Sequence, residues 1–81
     1  MAKYDPLKKY LSSLNQSSIS KSFSEIEDLL GAKLPPSART YVEWWANCIS
    51  LPAVQQKAWL DAGFLVEGLN IDRETVTFRR R

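Results

Sequence analysis

Ser37, Arg39, Thr40 and Asn47 are the side chains of this sequence best equipped for directed polar contacts, and helical spacing puts Arg39, Thr40 and Asn47 on one face. A guanidinium or a carboxamide on such a face can donate to base edges or phosphates. The Ser37 hydroxyl and the amides of a helix start suit a phosphate. Lys33 just ahead of the stretch, Arg73 in a later turn, and Arg79 and Arg80 on the last segment would hold a nucleic-acid backbone by charge. Glu43 lies in the middle of the same face. With Arg39 it also forms an i, i+4 pair, whose plain reading is a surface ion pair worth about 0.3 kcal/mol. Trp44 stands beside it at the boundary of the face, and aromatic anchors dominate protein interfaces. Two chemistries therefore compete for one stretch: duplex DNA contacted through Lys33, Ser37, Arg39, Thr40, Asn47, Arg73, Arg79 and Arg80, or a protein partner docked on Glu43 and Trp44.

Other chemistries are excluded early. Cys48 is the one cysteine and histidine is absent, which removes disulfides, ordinary zinc sites, His-based triads and Cys–His nucleophiles. No enzyme, metal or cofactor is expected. Cys48 follows the helical pattern of the stretch and is expected to be a small buried hydrophobe. Glu25, Glu27 and Asp28 could be taken for an acidic site, but Glu25 and Asp28 sit near a helix start, where negative charge favours the macrodipole.

Eighty-one residues, 44% hydrophobic and 25% charged, make a single soluble domain spanning 1–81, with a core so small that most large side chains must join it. No apolar run is long enough for a bilayer span, and the polar N-terminus lacks the stretch of a secretory signal, so a cytoplasmic location is expected. The net charge of +2 divides unevenly: +3 over residues 1–24, −3 over 25–31 and +2 over 32–81.

The elements that must position these residues follow from periodicity. Asp5-Pro6 starts a first helix, whose stripe is Leu7, Tyr10, Leu11 and Leu14. Ile19-Ser20-Lys21 can form a very short strand. Ser22 and Glu25 match a capping box, with Ser24 and Glu27 at the same spacing as an alternative start; Phe23, Ile26, Leu29 and Leu30 form the stripe of a second helix, and Gly31 ends it. Pro35-Pro36 turns the chain into a third helix that begins at Pro36 or Ser37, with Ala38, Tyr41, Val42, Trp45 and Cys48 facing the core. Residues 49–56 read as a connection, 54–62 as a short fourth helix closed by Gly63, and 64–71 and 75–79 as an antiparallel hairpin turning at Asp72-Arg73-Glu74. Strict alternation places Val76 and Phe78 inward.

The expected fold class is α+β: three or four helices packed on a C-terminal β-hairpin. That element order resembles a winged helix-turn-helix domain, in which the third helix reads DNA and the hairpin is the wing. The runs Lys3-Tyr4-Asp5-Pro6-Leu7, Phe23-Ser24-Glu25-Ile26-Glu27, Leu34-Pro35-Pro36-Ser37-Ala38-Arg39, Trp44-Trp45-Ala46-Asn47, Ala58-Trp59-Leu60-Asp61-Ala62-Gly63-Phe64 and Val76-Thr77-Phe78 also resemble a family of small uncharacterised bacterial proteins. The resemblance implies a shared architecture and no assigned activity. The expected function is a non-catalytic DNA-binding module; the alternative is a protein-interaction module, such as a phage or mobile-element inhibitor or an accessory domain docking on a larger bacterial enzyme. Burial of Trp44 against Trp59 and Phe64 would favour DNA, and exposure beside Glu43 a protein partner.

Overall fold

The computed structural model describes residues 3–48 and 50–81. Helix α1, Asp5–Ser12, begins with proline in its first turn, where a missing N–H costs nothing, and buries Leu7 and Leu11. Asp5 lies inside that first turn rather than capping it; the cap position is Tyr4. Strand β1, Ser18–Ser22, runs directly into helix α2, Phe23–Leu30. The capping box joins them: Ser22 Oγ accepts from the Glu25 amide at 3.1 Å and Glu25 Oε1 accepts from the Ser22 amide at 2.8 Å. Gly31, at φ 70°, ends α2 in the left-handed conformation that a side chain would resist.

The third helix is where the structure departs most from expectation. Helix α3 is Pro36–Thr40 only; Tyr41 is extended at φ −116°, ψ 124°, and a 3₁₀ turn, Val42–Trp45, follows. A continuous helix would give the Ala38 carbonyl to the Val42 amide. That carbonyl instead accepts from the Trp45 indole Nε1 at 2.8 Å. The break lets Trp45 stack between Phe23 (centroids 5.0 Å apart, planes 15°) and Trp59 (5.8 Å, 18°) with its N–H satisfied, as a buried indole requires. Ala38 and Trp45 are buried as their spacing predicts, but Tyr41, Val42 and Cys48 are exposed and do not join the core. They lose the core face because the helix that would have presented it ends at Thr40.

Helix α4 is Gln56–Leu60, shorter than expected, and buries Gln56, Ala58, Trp59 and Leu60. Ile49, expected to open the connection before it, lies outside the described residues. Gly63 at φ 86° turns the chain into strand β2, Phe64–Asn70, which pairs antiparallel with β3, Thr75–Arg80, with a bulge between Val66 and Gly68. Ile71 falls in the turn rather than the strand. The hairpin is joined by β1, so the sheet has three antiparallel strands in the order β1-β3-β2. Val76 and Phe78 point into the core beneath the helices, with Phe23, Phe64 and Trp59. The described residues thus form a small α+β domain of four helices and one antiparallel sheet.

Candidate functional site

Arg39 leaves the end of α3 and bridges two carboxylates from separate elements. Its Nη1 donates to Glu27 Oε2 of α2 at 2.8 Å, and its Nε to Glu74 Oε2 of the β2–β3 turn at 2.9 Å. The same Glu27 oxygen accepts from the Leu34 amide at 2.8 Å. The hydrogen bond from Arg39, then the one from the Leu34 amide, hold the Glu27 carboxyl below the usual range, and Glu27 followed by Glu74 raises the guanidinium. The expected Arg39–Glu43 pair is replaced by these longer-range ones, because the chain leaves the helix before Glu43.

Asn47 is equally committed. Its Nδ2 donates to the Val66 carbonyl at 2.9 Å and its Oδ1 accepts from the Val66 amide at 2.9 Å, so the side-chain amide occupies the outer edge of β2 as a neighbouring strand residue would. Oδ1 also accepts from the Trp59 indole at 3.2 Å. Thr40 Oγ1 donates back to the Pro36 carbonyl at 2.9 Å, inside its own helix. Ser37 is half-buried, and its carbonyl accepts from the Tyr41 amide. Arg39 and Asn47, expected on one helical face, are therefore held by different elements on either side of the Tyr41 break.

The hairpin cations differ among themselves. Arg79 Nη1 donates to Glu67 Oε2 at 2.8 Å, which raises its pKa, and the Arg80 guanidinium lies 4.7 Å over the Phe64 ring while donating to the Leu14 carbonyl at 2.6 Å. Arg73 is exposed in the β2–β3 turn, and Lys33 is exposed ahead of α3. Glu43 is exposed, with its carbonyl accepting from Gln56 Nε2 at 3.4 Å. Trp44 is half-buried: its ring packs edge-on to Tyr4 (5.9 Å) and Trp45 (4.7 Å) and tilted against Trp59 (6.4 Å). It is a rim of the core, between the two states that would have decided for DNA or protein.

What the sequence reading missed is apolar. Tyr41 (57% exposed), Val42 (57%), Leu51 (84%) and Val54 (62%) are the exposed large hydrophobics of the described residues, and all fall within residues 41–54. The run Thr40-Tyr41-Val42, of low helix propensity throughout, was the signal available for the break that exposes the first two. Val54 also lines a cleft of about 130 Å³ between α1 and α4, beside Tyr4, Lys8, Lys57, Ala58 and Asp61. Gln55 and Gln56 clamp the segment: Gln55 Nε2 donates to the Trp44 carbonyl at 3.1 Å, and Gln56 Oε1 accepts from the Ala53 amide at 3.0 Å. Among the described residues, no three of His, Cys, Asp and Glu group as a metal site, and no helix is long and apolar enough to cross a membrane.

The model of the family described as "Domain of unknown function (DUF7662)" matches residues 4–81. The chain belongs to this family. No curated protein and no solved structure matches it. The match takes in every helix and strand of the fold, so the capping box of α2, the broken third helix and the hairpin all lie within the DUF7662 domain.

Proposed function

We propose that this DUF7662 domain is a non-catalytic protein-interaction module that engages its partner through the apolar segment at residues 41–54. The observation that carries the reading is the confinement of Tyr41, Val42, Leu51 and Val54, all more than half exposed, to one short segment of a domain whose core is otherwise small and well filled. Exposed large apolar side chains gathered in one segment of a small domain are candidates for an interaction surface, and tyrosine is enriched among interface anchors. Glu43 and Trp44 lie within this segment: Glu43 adds an exposed charge to it, and Trp44 ties it to the core through Tyr4, Trp45 and Trp59.

Affinity capture from a cell lysate with the wild-type domain, Tyr41→Ser/Val42→Ser and Leu51→Ser/Val54→Ser tests this reading. The expected result is a protein recovered by the wild type and lost with either double variant, each variant keeping its circular dichroism spectrum. Equal recovery by all three would overturn it.

A second reading, a duplex-DNA module with a winged helix-turn-helix-like fold, has support from the opening order helix, strand, helix, helix, from the C-terminal hairpin that follows α4, and from Arg73 exposed at the wing-like turn. Lys33 would add a phosphate contact. It has less support than the protein reading because Arg39 and Asn47, its base-contacting candidates, are held by Glu27, Glu74 and Val66.

A further inference from the structure

Helices α1 and α4 pack against each other and leave between them a cleft of about 130 Å³. Its floor is apolar, made by the buried Tyr4 and Ala58, and the exposed Val54 stands at its rim. Lys8 on α1 and Lys57 on α4 bring one lysine to each wall, and Asp61 adds a carboxylate at the end of α4. The side chains of Lys8, Lys57 and Asp61 make neither a salt bridge nor a hydrogen bond among the described residues. Asp5, which also lines the cleft, is already engaged. The charges left without a partner are therefore two positive and one negative.

Size and chemistry together narrow what this cleft can take. At about 130 Å³ it is well below the roughly 300–1,000 Å³ of sites that enclose a whole small ligand, so it has room for one side chain and its adjoining backbone. The two lysines call for a carboxylate beside that side chain. An acidic residue inside a chain carries its carboxylate at the tip of the side chain, and would set that charge against the apolar floor of Tyr4 and Ala58 at a cost in solvation. The last residue of a chain is different: it holds an apolar side chain and a carboxylate on the same Cα. Capture of a C-terminal carboxylate is a recurring mode of recognition.

We propose that the α1–α4 cleft binds the C-terminal residue of a partner protein, its aliphatic side chain on Tyr4, Val54 and Ala58 and its carboxylate between Lys8 and Lys57. Asp61 accepts from the last peptide N–H of that chain. Both lysines are exposed and their attraction is screened by salt, so burial of the side chain supplies most of the affinity and the carboxylate supplies the selectivity. The inference rests on the reading of this domain as a protein-interaction module and adds a separate contact to it. Val54 belongs to both surfaces, whereas Lys8 and Lys57 belong to the cleft alone.

The test is affinity selection on the whole domain from two synthetic pools of random hexapeptides, one ending in a free carboxylate and the other in a carboxamide. The expected result is at least tenfold greater recovery from the carboxylate pool, with an aliphatic residue in the last position. The most enriched peptide, synthesised singly, should bind Lys8→Gln/Lys57→Gln at least tenfold more weakly than the wild type at low salt, and should bind Tyr41→Ser/Val42→Ser unchanged. Both lysines are exposed, so the glutamine variant keeps the fold. Equal recovery from the two pools, enrichment of internal acids whatever the chain end, or binding indifferent to Lys8→Gln/Lys57→Gln would each overturn the proposal. If a lysate partner is lost with Tyr41→Ser/Val42→Ser while neither pool yields a binder, the cleft fails and the 41–54 surface stands. A carboxylate-specific peptide with no dependence of lysate capture on Tyr41 and Val42 keeps the cleft and removes that surface.

Discussion

Asn47 shows how one side chain can read as a contact residue and serve as architecture. Its carboxamide replaces a strand residue at Val66 and at the same time satisfies the indole of the fully buried Trp59. Asn47→Ala should lower stability by about 1–3 kcal/mol, chiefly through the indole left without an acceptor, as read by chemical denaturation. Arg39 has a different signature. Glu27 titrates lower in the folded protein than in the unfolded chain, where a glutamate has a pKa of about 4.3. A group depressed in this way stabilises the fold above its unfolded pKa, and that stabilisation disappears as pH falls through the lower folded value. Stability of the wild type should therefore fall between neutral pH and pH 3 more steeply than that of Arg39→Ala; denaturation midpoints across this range that run parallel would count against the bridge. The polar character of both residues was plain in the sequence, but their partners were not. Glu27, Glu74 and Val66 lie far along the chain on other elements, and no periodicity connects them to Arg39 or Asn47.

Elements specified by short-range chemistry were legible. The Ser22–Glu25 box, Gly31 and Gly63, and the alternation from Thr75 to Phe78 each rest on neighbours within a few residues. The short strand at Ile19-Ser20-Lys21 was visible too, but its place beside β3 was not, since pairing depends on residues more than fifty positions away. The third helix departs from its spacing for a related reason. Helical spacing from Ala38 to Cys48 is real, yet the core gains more from stacking Trp45 between Phe23 and Trp59 than from continuing the helix, and the indole takes the carbonyl the helix needed. Trp45→Phe keeps a stacked ring but frees the Ala38 carbonyl within the core. It should destabilise by about 1–3 kcal/mol, whereas Trp45→Ala, which also opens a cavity, should cost about 3–5 kcal/mol. A phenylalanine variant as stable as the wild type in thermal melts would mean that the indole bond does not hold the break open.

At the scale of the molecule, the question is which surface is free to act. Tyr41 and Val42 are each 57% exposed, so Tyr41→Ser/Val42→Ser should change stability by no more than about 1 kcal/mol, or about 0.5 kcal/mol for each surface position; a larger loss in denaturant titration would make them part of the fold. The cations lead to the last expectation. Arg39, Arg79 and Arg80 are each held by carboxylates, carbonyls or an aromatic face of the same chain, and the net charge is only +2. Lys33 and Arg73 are the exposed cations of the DNA reading whose side chains make neither a salt bridge nor a hydrogen bond among the described residues. Two phosphate contacts of this kind would give log K a slope of about −2 against log salt, too shallow and too weak for retention at physiological ionic strength. Mixed-sequence duplex DNA should thus bind weakly at low salt and be released by about 150 mM salt. Binding that survives there with a slope of about −5 or steeper would require Arg39, Arg79 and Arg80 to leave their partners for phosphates, and would decide for duplex DNA over a protein partner.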